Sequence, residues 1–132
     1  MFDLVTRILI VDDMMTMRKL VLKSCREIGF TDFTEAADGI EAWTAINDAS
    51  PAFGLILSDW NMPNCSGIDL LRRVRRDGRF GKTPFILVTS ESEESQIVEA
   101  ARAGVSQYLV KPFTTELLCE RIESVHKKMS GP

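Results

Sequence analysis

The sequence predicts an α/β fold in which a parallel β-sheet lies between two layers of helices, and two observations carry that prediction. Short runs of aliphatic and β-branched residues alternate along the chain with segments whose apolar residues recur at helical spacing. The short runs are apolar almost throughout, which is typical of parallel strands covered on both faces. Because crossovers between parallel strands are right-handed, we expect five βα units arranged as a three-layer sandwich.

The first βα unit has the clearest pattern. We expect a strand near residues 7–11 and a helix near residues 15–28, ended by Gly29. Apolar and small residues of this helix fall on one stripe at helical spacing. They are Met17, Leu20, Val21, Ser24, Cys25 and Ile28.

The other four units follow the same scheme. We expect strands near residues 32–36, 54–58, 84–89 and 106–110. The helices between and after them are expected near residues 39–48, 66–76, 91–103 and 114–128. The predicted boundary residues are Asp38, Ser66, Gly104 and either Thr114 or Thr115.

Length and composition indicate one globular domain. The chain has 132 residues, of which 45% are hydrophobic and 27% are charged. We expect a single domain over residues 1–132 with its core at about 6–128 and no output domain, because no linker or low-complexity stretch interrupts the pattern.

Charge and targeting signals exclude several classes of partner. A net charge of −3 provides no general attraction to nucleic acid or to anionic membranes. No apolar run approaches the ~20 residues of a membrane helix, and no secretion signal is recognisable, so we expect a cytoplasmic protein. The 3 cysteines contain no C-x-x-C and are expected to be reduced thiols.

Chemically reactive side chains stand at the ends of the predicted strands. They are Asp12, Asp13, Asp59, Thr89 and Lys111. Since the carboxyl ends of parallel strands meet at one edge of a sheet, we expect these side chains to converge there. Neighbouring carboxylates repel each other unless a cation neutralises them, and an oxygen-only set of ligands suits Mg²⁺. Asp59 is then a candidate nucleophile toward a phosphoryl group, with Thr89 and Lys111 as donors to its oxygens.

The strand-end segments resemble the four signature regions of the response-regulator receiver domain. They are Val11-Asp12-Asp13, Ser58-Asp59-Trp60-Asn61-Met62-Pro63-Asn64, Val88-Thr89-Ser90 and Tyr108-Leu109-Val110-Lys111-Pro112-Phe113. The resemblance covers essentially the whole chain. Within the family, the pattern is most similar to that of the single-domain regulators of chemotaxis.

This resemblance implies a fold and a set of site residues. The fold would be flavodoxin-like, (βα)5, with a parallel five-stranded sheet of order 2-1-3-4-5. Asp59 would be the phosphoacceptor, and Asp13 and Asp59 would bind Mg²⁺ directly. Asp12 would act largely through water, and the backbone carbonyl of Asn61 would be a further ligand. The Lys111-Pro112 peptide bond would be cis.

The resemblance also implies partners and a switch. The phosphoryl donor would be a phosphohistidine on a CheA-like histidine kinase, with small acyl phosphates as substitutes. Phosphorylation would draw Thr89 inward and let Tyr108 rotate from an exposed to a buried position. The face made by the fourth helix, last strand and last helix would then bind a flagellar motor switch protein or another phosphorylation-dependent target.

The implied protein is a monomeric signalling molecule. It would catalyse its own phosphorylation and slow autodephosphorylation, and a phosphatase could accelerate the second step. In this respect it would differ from a conventional enzyme that turns over a separate substrate.

Two alternatives stay open. The turn Glu91-Ser92-Glu93-Glu94-Ser95 departs from the family pattern, because motor-binding relatives tend to carry lysines there. The chain is therefore also compatible with a phosphorelay intermediate or a phosphate sink for a chemotaxis kinase. A metal-dependent phosphatase using Asp59 is the second alternative, although such enzymes usually need a general acid where Asn61 stands.

Two further features have structural interpretations. The most basic run lies on the third predicted helix and is interpreted as a solvated helix face rather than as a nucleic-acid patch. It consists of Arg72, Arg73, Arg75 and Arg76. His126 is expected to be a surface side chain of the last helix.

Overall fold

The structure, a computed structural model, describes residues 2–90 and 92–130, with nothing described for the side chain of Ser130. Strands and helices alternate along the chain and are numbered in order. The strands are β1 (Arg7–Val11), β2 (Asp32–Ala36), β3 (Leu55–Ser58), β4 (Phe85–Thr89) and β5 (Gln107–Val110). The helices are α1 (Met15–Ile28), α2 (Gly39–Asp48), α3 (Gly67–Arg76), α4 (Glu94–Ala103) and α5 (Thr115–Ser130).

The sheet has the expected topology. Its five strands have the order β2-β1-β3-β4-β5, and all neighbouring pairs are parallel. This confirms the flavodoxin-like fold. The prediction that the domain stands alone, without an output domain, stays a prediction.

Most helix boundaries follow from local capping. Asp38 and Ser66 cap α2 and α3 by accepting a hydrogen bond from the N–H three residues later, at 2.8 and 3.2 Å. Thr114 caps α5 in the same way at 3.1 Å. Gly29 and Gly104 end α1 and α4 with positive φ angles of 126° and 92°, which glycine adopts without a Cβ clash.

The start of α4 differs from the expectation. The helix begins at Glu94 and not near residue 91, with Glu93 at the N-cap position and no side-chain capping bond. Glu91, the first residue of the predicted acidic turn, lies outside the described residues. Because no side chain caps α4, the run of acidic residues by itself did not show at which residue the helix begins.

Two hydrophobic clusters cover the two faces of the sheet. Alternate residues of β1 point to opposite sides: Ile8 and Ile10 pack toward α1 and α5, whereas Leu9 and Val11 pack toward α2, α3 and α4. This alternation is the period-two geometry of a strand buried on both faces. The site-bearing strands are therefore held rigidly from both sides.

The buried face of α1 is shifted from the predicted stripe. Leu20 is 46% exposed, whereas Leu22 is buried with Val21 and Cys25. Leu20 borders an open depression beside the β5–α5 loop, whereas Leu22 belongs to the hydrophobic cluster on this face of the sheet. Burial raises the pKa of the Cys25 thiol to about 12, so this thiol is unreactive at neutral pH.

The basic run of α3 has mainly structural contacts. Arg75 donates hydrogen bonds to three backbone carbonyls in the loops before β4 and β5. Arg72 forms ion pairs with Asp69 and Glu99, at 3.2 and 2.6 Å. Arg73 lies over a tryptophan ring of α2 at 4.4 Å. These contacts favour a helix face over a nucleic-acid patch, but Arg75 is held by backbone carbonyls and is not freely solvated as expected.

Two remaining expectations concern the exposure of His126 and the absence of a membrane-spanning helix. His126, expected at the surface of the last helix, is half-buried and packs edge-on against Phe2, with ring centroids 5.1 Å apart. Among residues 2–90 and 92–130, no helix is long and apolar enough to cross a membrane.

Candidate functional site

Strand register brings the reactive residues to one edge of the sheet. Val11 pairs with Ser58 across β1 and β3, so Asp12 and Asp59 leave adjacent central strands at the same level. On the other side of β3, Thr89 at the end of β4 pairs with Val110, and Lys111 follows directly. The convergence follows from the parallel order of the strands.

Three aspartates form a compact acidic cluster. One carboxylate oxygen from each of Asp12, Asp13 and Asp59 lies within 4.8 Å of the other two. Asp12 is buried, Asp59 is half-buried and Asp13 is exposed. The cluster therefore reaches from the protein interior to solvent, and a small cation has access to it from the side of Asp13.

Asp12 is held at both carboxylate oxygens. Its Oδ1 accepts a hydrogen bond from the Met14 N–H at 2.9 Å, and its Oδ2 accepts one from Lys111 Nζ at 2.9 Å. Its own backbone N–H donates to the Ala36 carbonyl at 3.1 Å. This buried charge is thus paired and hydrogen-bonded, as a carboxylate in a low-dielectric environment requires.

Asp59 lies in an unfavourable electrostatic environment. Burial raises the pKa of its carboxyl group above the ordinary value, and the neighbouring charges of Asp12 and Asp13 raise it further. Lys111, whose Nζ lies 3.6 Å from Asp59 Oδ1, and the Trp60 N–H at 2.8 Å oppose this shift without cancelling it. A bound cation would relieve the repulsion that raises this pKa.

Lys111 is fixed by its surroundings. Its side chain is only 12% exposed, and its backbone N–H donates to the Thr89 carbonyl at 2.9 Å. The Lys111-Pro112 peptide bond is cis, as expected. Its ammonium group therefore points at the acidic cluster rather than into solvent.

Asn61, Thr89 and Tyr108 surround the cluster at different depths. Asn61 is exposed and lines a depression of about 590 Å³ together with Asp13, Asp59 and Lys111. Thr89 is fully buried at the end of β4. Tyr108 is half-buried on β5, and its ring meets that of Trp60 edge-on with centroids 6.4 Å apart. Tyr108 thus packs beside the residue that follows Asp59, but it is not part of the acidic cluster.

Sequence reasoning missed the role of Gly67. A Cβ atom at this position would overlap the backbone carbonyl oxygen of Asp59 and lie 2.8 Å from its carbonyl carbon. The Gly67 N–H also donates to the Trp60 carbonyl at 2.8 Å. The available signal was a glycine in the first turn of a helix, where it is otherwise unfavourable.

Sequence reasoning also missed the contact that Arg18 makes. Its guanidinium donates to the backbone carbonyl of Asp12 at 2.8 Å. Nothing in the spacing of α1 marks this residue, because it lies on the polar side of an ordinary amphipathic helix.

Comparison with known proteins identifies the family. Residues 8–123 match the family model of the response regulator receiver domain. The chain belongs to the response regulator receiver family. This receiver domain is 46% identical over 125 residues to the chemotaxis protein CheY of Pseudomonas aeruginosa, covering 95% of this chain and 99% of the relative. It is 40% identical over 119 residues to CheY1 of Helicobacter pylori, covering 90% and 95%.

Solved structures agree with this assignment. The receiver domain is similar to the chemotaxis response regulator CheY4 of Vibrio cholerae, with a TM-score of 0.82, 31% identity, and coverage of 92% of this chain and 98% of that one. A CheX-CheY-BeF3-Mg²⁺ complex from Borrelia burgdorferi matches with a TM-score of 0.85 and 25% identity, covering 92% and 89%. The chain is thus a CheY-like receiver domain, a signalling protein.

Proposed function

We propose that this receiver domain accepts a phosphoryl group on Asp59 from a phosphohistidine of a histidine kinase and then binds a target through its α4-β5-α5 face. The observation that carries the proposal is the position of Asp59, which shares one acidic cluster with Asp12 and Asp13 and faces Lys111. The similarity to proteins named for chemotaxis supports that pathway.

The donor set fits Mg²⁺. Carboxylate oxygens are the ligands that this ion prefers, and the cluster contains no nitrogen or sulfur ligand among the described residues. Asp13 and Asp59 would bind the ion directly, together with the Asn61 carbonyl. Asp12 would act largely through water, as the resemblance to the family implies. Bound Mg²⁺ would supply the positive charge that offsets the carboxylates and the phosphoryl oxygens.

The Asp59 carboxylate is the nucleophile of the proposed transfer. One of its oxygens bonds to phosphorus while the phosphorus–nitrogen bond to the donor imidazole breaks, and the imidazole nitrogen leaves with the electron pair. The product is an aspartyl phosphate. Because Oδ1 is already oriented by the Trp60 N–H, the carboxylate is held in position before the donor arrives.

Lys111 and Thr89 stabilise the transferred group. The ammonium of Lys111 lies 3.6 Å from Asp59 Oδ1 and would donate to one phosphoryl oxygen. The Thr89 hydroxyl would donate to another. Water then hydrolyses the acyl phosphate slowly. A phosphatase could accelerate this step. A second protein bound to the receiver domain is compatible with this scheme, since the Borrelia burgdorferi structure is a complex of CheY with CheX.

Output is proposed to run from Thr89 to the α4-β5-α5 face. Phosphorylation adds charge next to Thr89, whose β4 strand pairs with the β5 strand that carries Tyr108. Tyr108 would move inward when Thr89 moves toward the phosphoryl group. Ile97 of α4, at 40% exposure, offers apolar contact area on this helix. The target would be a flagellar motor switch protein or another protein that distinguishes the two states.

We retain the further predictions that the protein is cytoplasmic, monomeric and does not bind nucleic acid or membrane. A phosphate sink or relay intermediate remains the second candidate, because Glu93 and Glu94 are exposed acids at the start of α4. Such acids would oppose binding of an acidic target.

Chemical labelling tests the phosphoacceptor. Incubation with a small acyl phosphate and Mg²⁺ should add one hydroxylamine-labile phosphoryl group, read by intact mass. Asp59→Asn should abolish the adduct, whereas Asp69→Asn, at an exposed carboxylate on α3, should preserve it. An adduct that persists in Asp59→Asn would exclude Asp59 as the acceptor.

Transfer experiments test the pathway. Phosphoryl transfer from a purified, phosphorylated histidine kinase should be followed with and without a histidine phosphotransfer protein. Selective retention of a target by the phosphorylated form supports the output proposal. Quantitative onward transfer to histidine, with no protein retained, supports the relay alternative.

A further inference from the structure

Arg18 connects the acidic cluster to the neighbouring strand. Its side chain is only 16% exposed. Its Nη1 donates to the backbone carbonyl of Asp12 at 2.8 Å, and its Nε donates to Glu35 Oε1 at 2.9 Å. The planar guanidinium thus bridges the end of β1 and the outer strand β2 with two bonds in fixed relative directions.

Glu35 is a strong anchor for this bridge. Its second oxygen, Oε2, accepts a hydrogen bond from Lys19 Nζ at 2.7 Å. Hydrogen bonds and charge from Lys19 and Arg18 hold the pKa of this carboxyl group below its usual range, so Glu35 is ionised at neutral pH. Lys19 differs from Arg18 in two ways. Its side chain is mostly exposed, at 56%, and among residues 2–90 and 92–130 its side chain bonds only to Glu35.

The carbonyl that Arg18 binds belongs to the peptide unit joining Asp12 to Asp13. Because a peptide unit is planar, fixing its carbonyl oxygen fixes the direction in which the chain enters Asp13. The following turn has little other support: Met14 is the N-cap residue of α1 and makes no side-chain capping bond. Two hydrogen bonds stabilise this turn. Asp12 Oδ1 accepts one from the Met14 N–H, and the Asp12 carbonyl accepts the other from Arg18.

We propose that Arg18 is a positioning residue that orients the Asp12–Asp13 peptide so that the Asp13 carboxylate faces the cation site. This inference rests on the proposed function, because it assumes that Asp13 and Asp59 bind Mg²⁺. Arg18 touches neither the cation nor the phosphoryl group, and acts through the main chain of Asp12.

A purely electrostatic role and a positioning role of Arg18 predict opposite changes in Mg²⁺ affinity when Arg18 is removed. As a cation near three carboxylates, Arg18 repels Mg²⁺ through space, so its removal should tighten Mg²⁺ binding if charge alone matters. If Arg18 positions Asp13, its removal should weaken binding despite the loss of that repulsion. The sign of the change therefore separates the two roles.

Mg²⁺ binding measured by calorimetry, with Trp60 fluorescence beside it, tests the proposal. Arg18→Met and Arg18→Lys should each raise the Mg²⁺ dissociation constant about tenfold, since lysine keeps the charge but not the two-bond fork. Lys19→Met removes a charge from the same carboxylate partner and is the matched control. It should leave the dissociation constant within about twofold of wild type, or lower it.

Several results would overturn the proposal. One is that Arg18→Met binds Mg²⁺ as tightly as Lys19→Met does. Another is that Arg18→Lys binds Mg²⁺ with the wild-type affinity. Thermal unfolding of each variant establishes that it is folded. If Arg18→Met does not fold, Glu35→Gln decides, because it removes the outer anchor and should weaken binding about threefold. Unchanged affinity in Glu35→Gln would then contradict the proposal.

The wild-type titration keeps this inference separate from the proposed function. If the wild-type protein binds no Mg²⁺, the proposed metal site itself is wrong. If the wild type binds Mg²⁺ and the arginine variants bind equally well, only the positioning role of Arg18 fails.

Discussion

Gly67→Ala should destabilise the fold and disturb the phosphoacceptor together. The added Cβ would overlap the Asp59 carbonyl oxygen and lie 2.8 Å from the Asp59 carbonyl carbon and 3.1 Å from the Trp60 Cα. All three are backbone atoms that no rotamer change can move. Because nonbonded atoms of these types do not approach closer than about 3 Å, α3 and the β3–α3 loop must separate by on the order of 1 Å.

The magnitude follows from three contributions. Overpacking of this kind costs about 1 to 3 kcal/mol. Separation also weakens the bond from the Gly67 N–H to the Trp60 carbonyl, 2.8 Å long, which contributes about 1 kcal/mol. The better helix propensity of alanine offsets about 1 kcal/mol. We expect a net loss of about 2 kcal/mol and a melting temperature lower by about 6 to 10 °C.

Urea unfolding followed by far-ultraviolet circular dichroism measures the loss, with Gly78→Ala as the control. A Cβ at Gly78 meets no atom within 4 Å, so this variant should match or slightly exceed the wild-type stability. Labelling of Asp59 by a small acyl phosphate should also slow in Gly67→Ala, because the Asp59 backbone is displaced. Equal stability of the two alanine variants would refute the argument.

The remaining predictions concern charges at and away from the site. The raised pKa of Asp59 means that its ionised form opposes folding, and this cost appears as pH rises through the raised value. Without divalent cations, Asp59→Asn should therefore have a higher urea midpoint of unfolding than wild type at pH 8. The difference between the two midpoints should disappear toward about pH 4, and equal midpoints at pH 8 would contradict this. Lys111→Met should tighten Mg²⁺ binding about tenfold in a calorimetric titration, because the ammonium competes for the same carboxylates; weaker binding would contradict it. Arg75→Met should lower the free energy of unfolding by about 2 kcal/mol, because three backbone carbonyls lose a charged donor, whereas the exposed Arg76→Met should stay within about 0.5 kcal/mol. Similar losses in both arginine variants would show that Arg75 has no special structural role.

The fold was largely predictable because its signals are local. Apolar runs located the strands, and capping residues such as Asp38 and Ser66 located the helix starts to within a residue or two. The strand order and much of the site assignment came from the resemblance to the receiver family. The convergence of Asp12, Asp59 and Lys111 followed from their positions after parallel strands, before any distance was known.

Other features depended on how distant segments pack. Helical spacing placed Leu20 in the buried stripe of α1, but Leu20 lies beside an open depression at the β5–α5 loop, and Leu22 is buried instead. Spacing along α3 suggested a solvated arginine face, but the loops before β4 and β5 supply the carbonyls that hold Arg75. The periodicity of apolar residues describes one helix or strand at a time. It therefore cannot identify which other segment packs against that helix or strand.

The sequence by itself determined the alternation of strands and helices, the reactive residues at the strand ends, and the need of three aspartates for a compensating charge. These follow from hydrophobic period, turn chemistry and Coulomb repulsion, which act within short segments or between residues that the topology must gather. Only the tertiary structure decided that Gly67 lies against the Asp59 carbonyl and that Arg18 binds the Asp12 carbonyl. Both contacts join main-chain atoms to residues several positions away, and their existence depends on distances of a few tenths of an ångström that no residue pattern encodes.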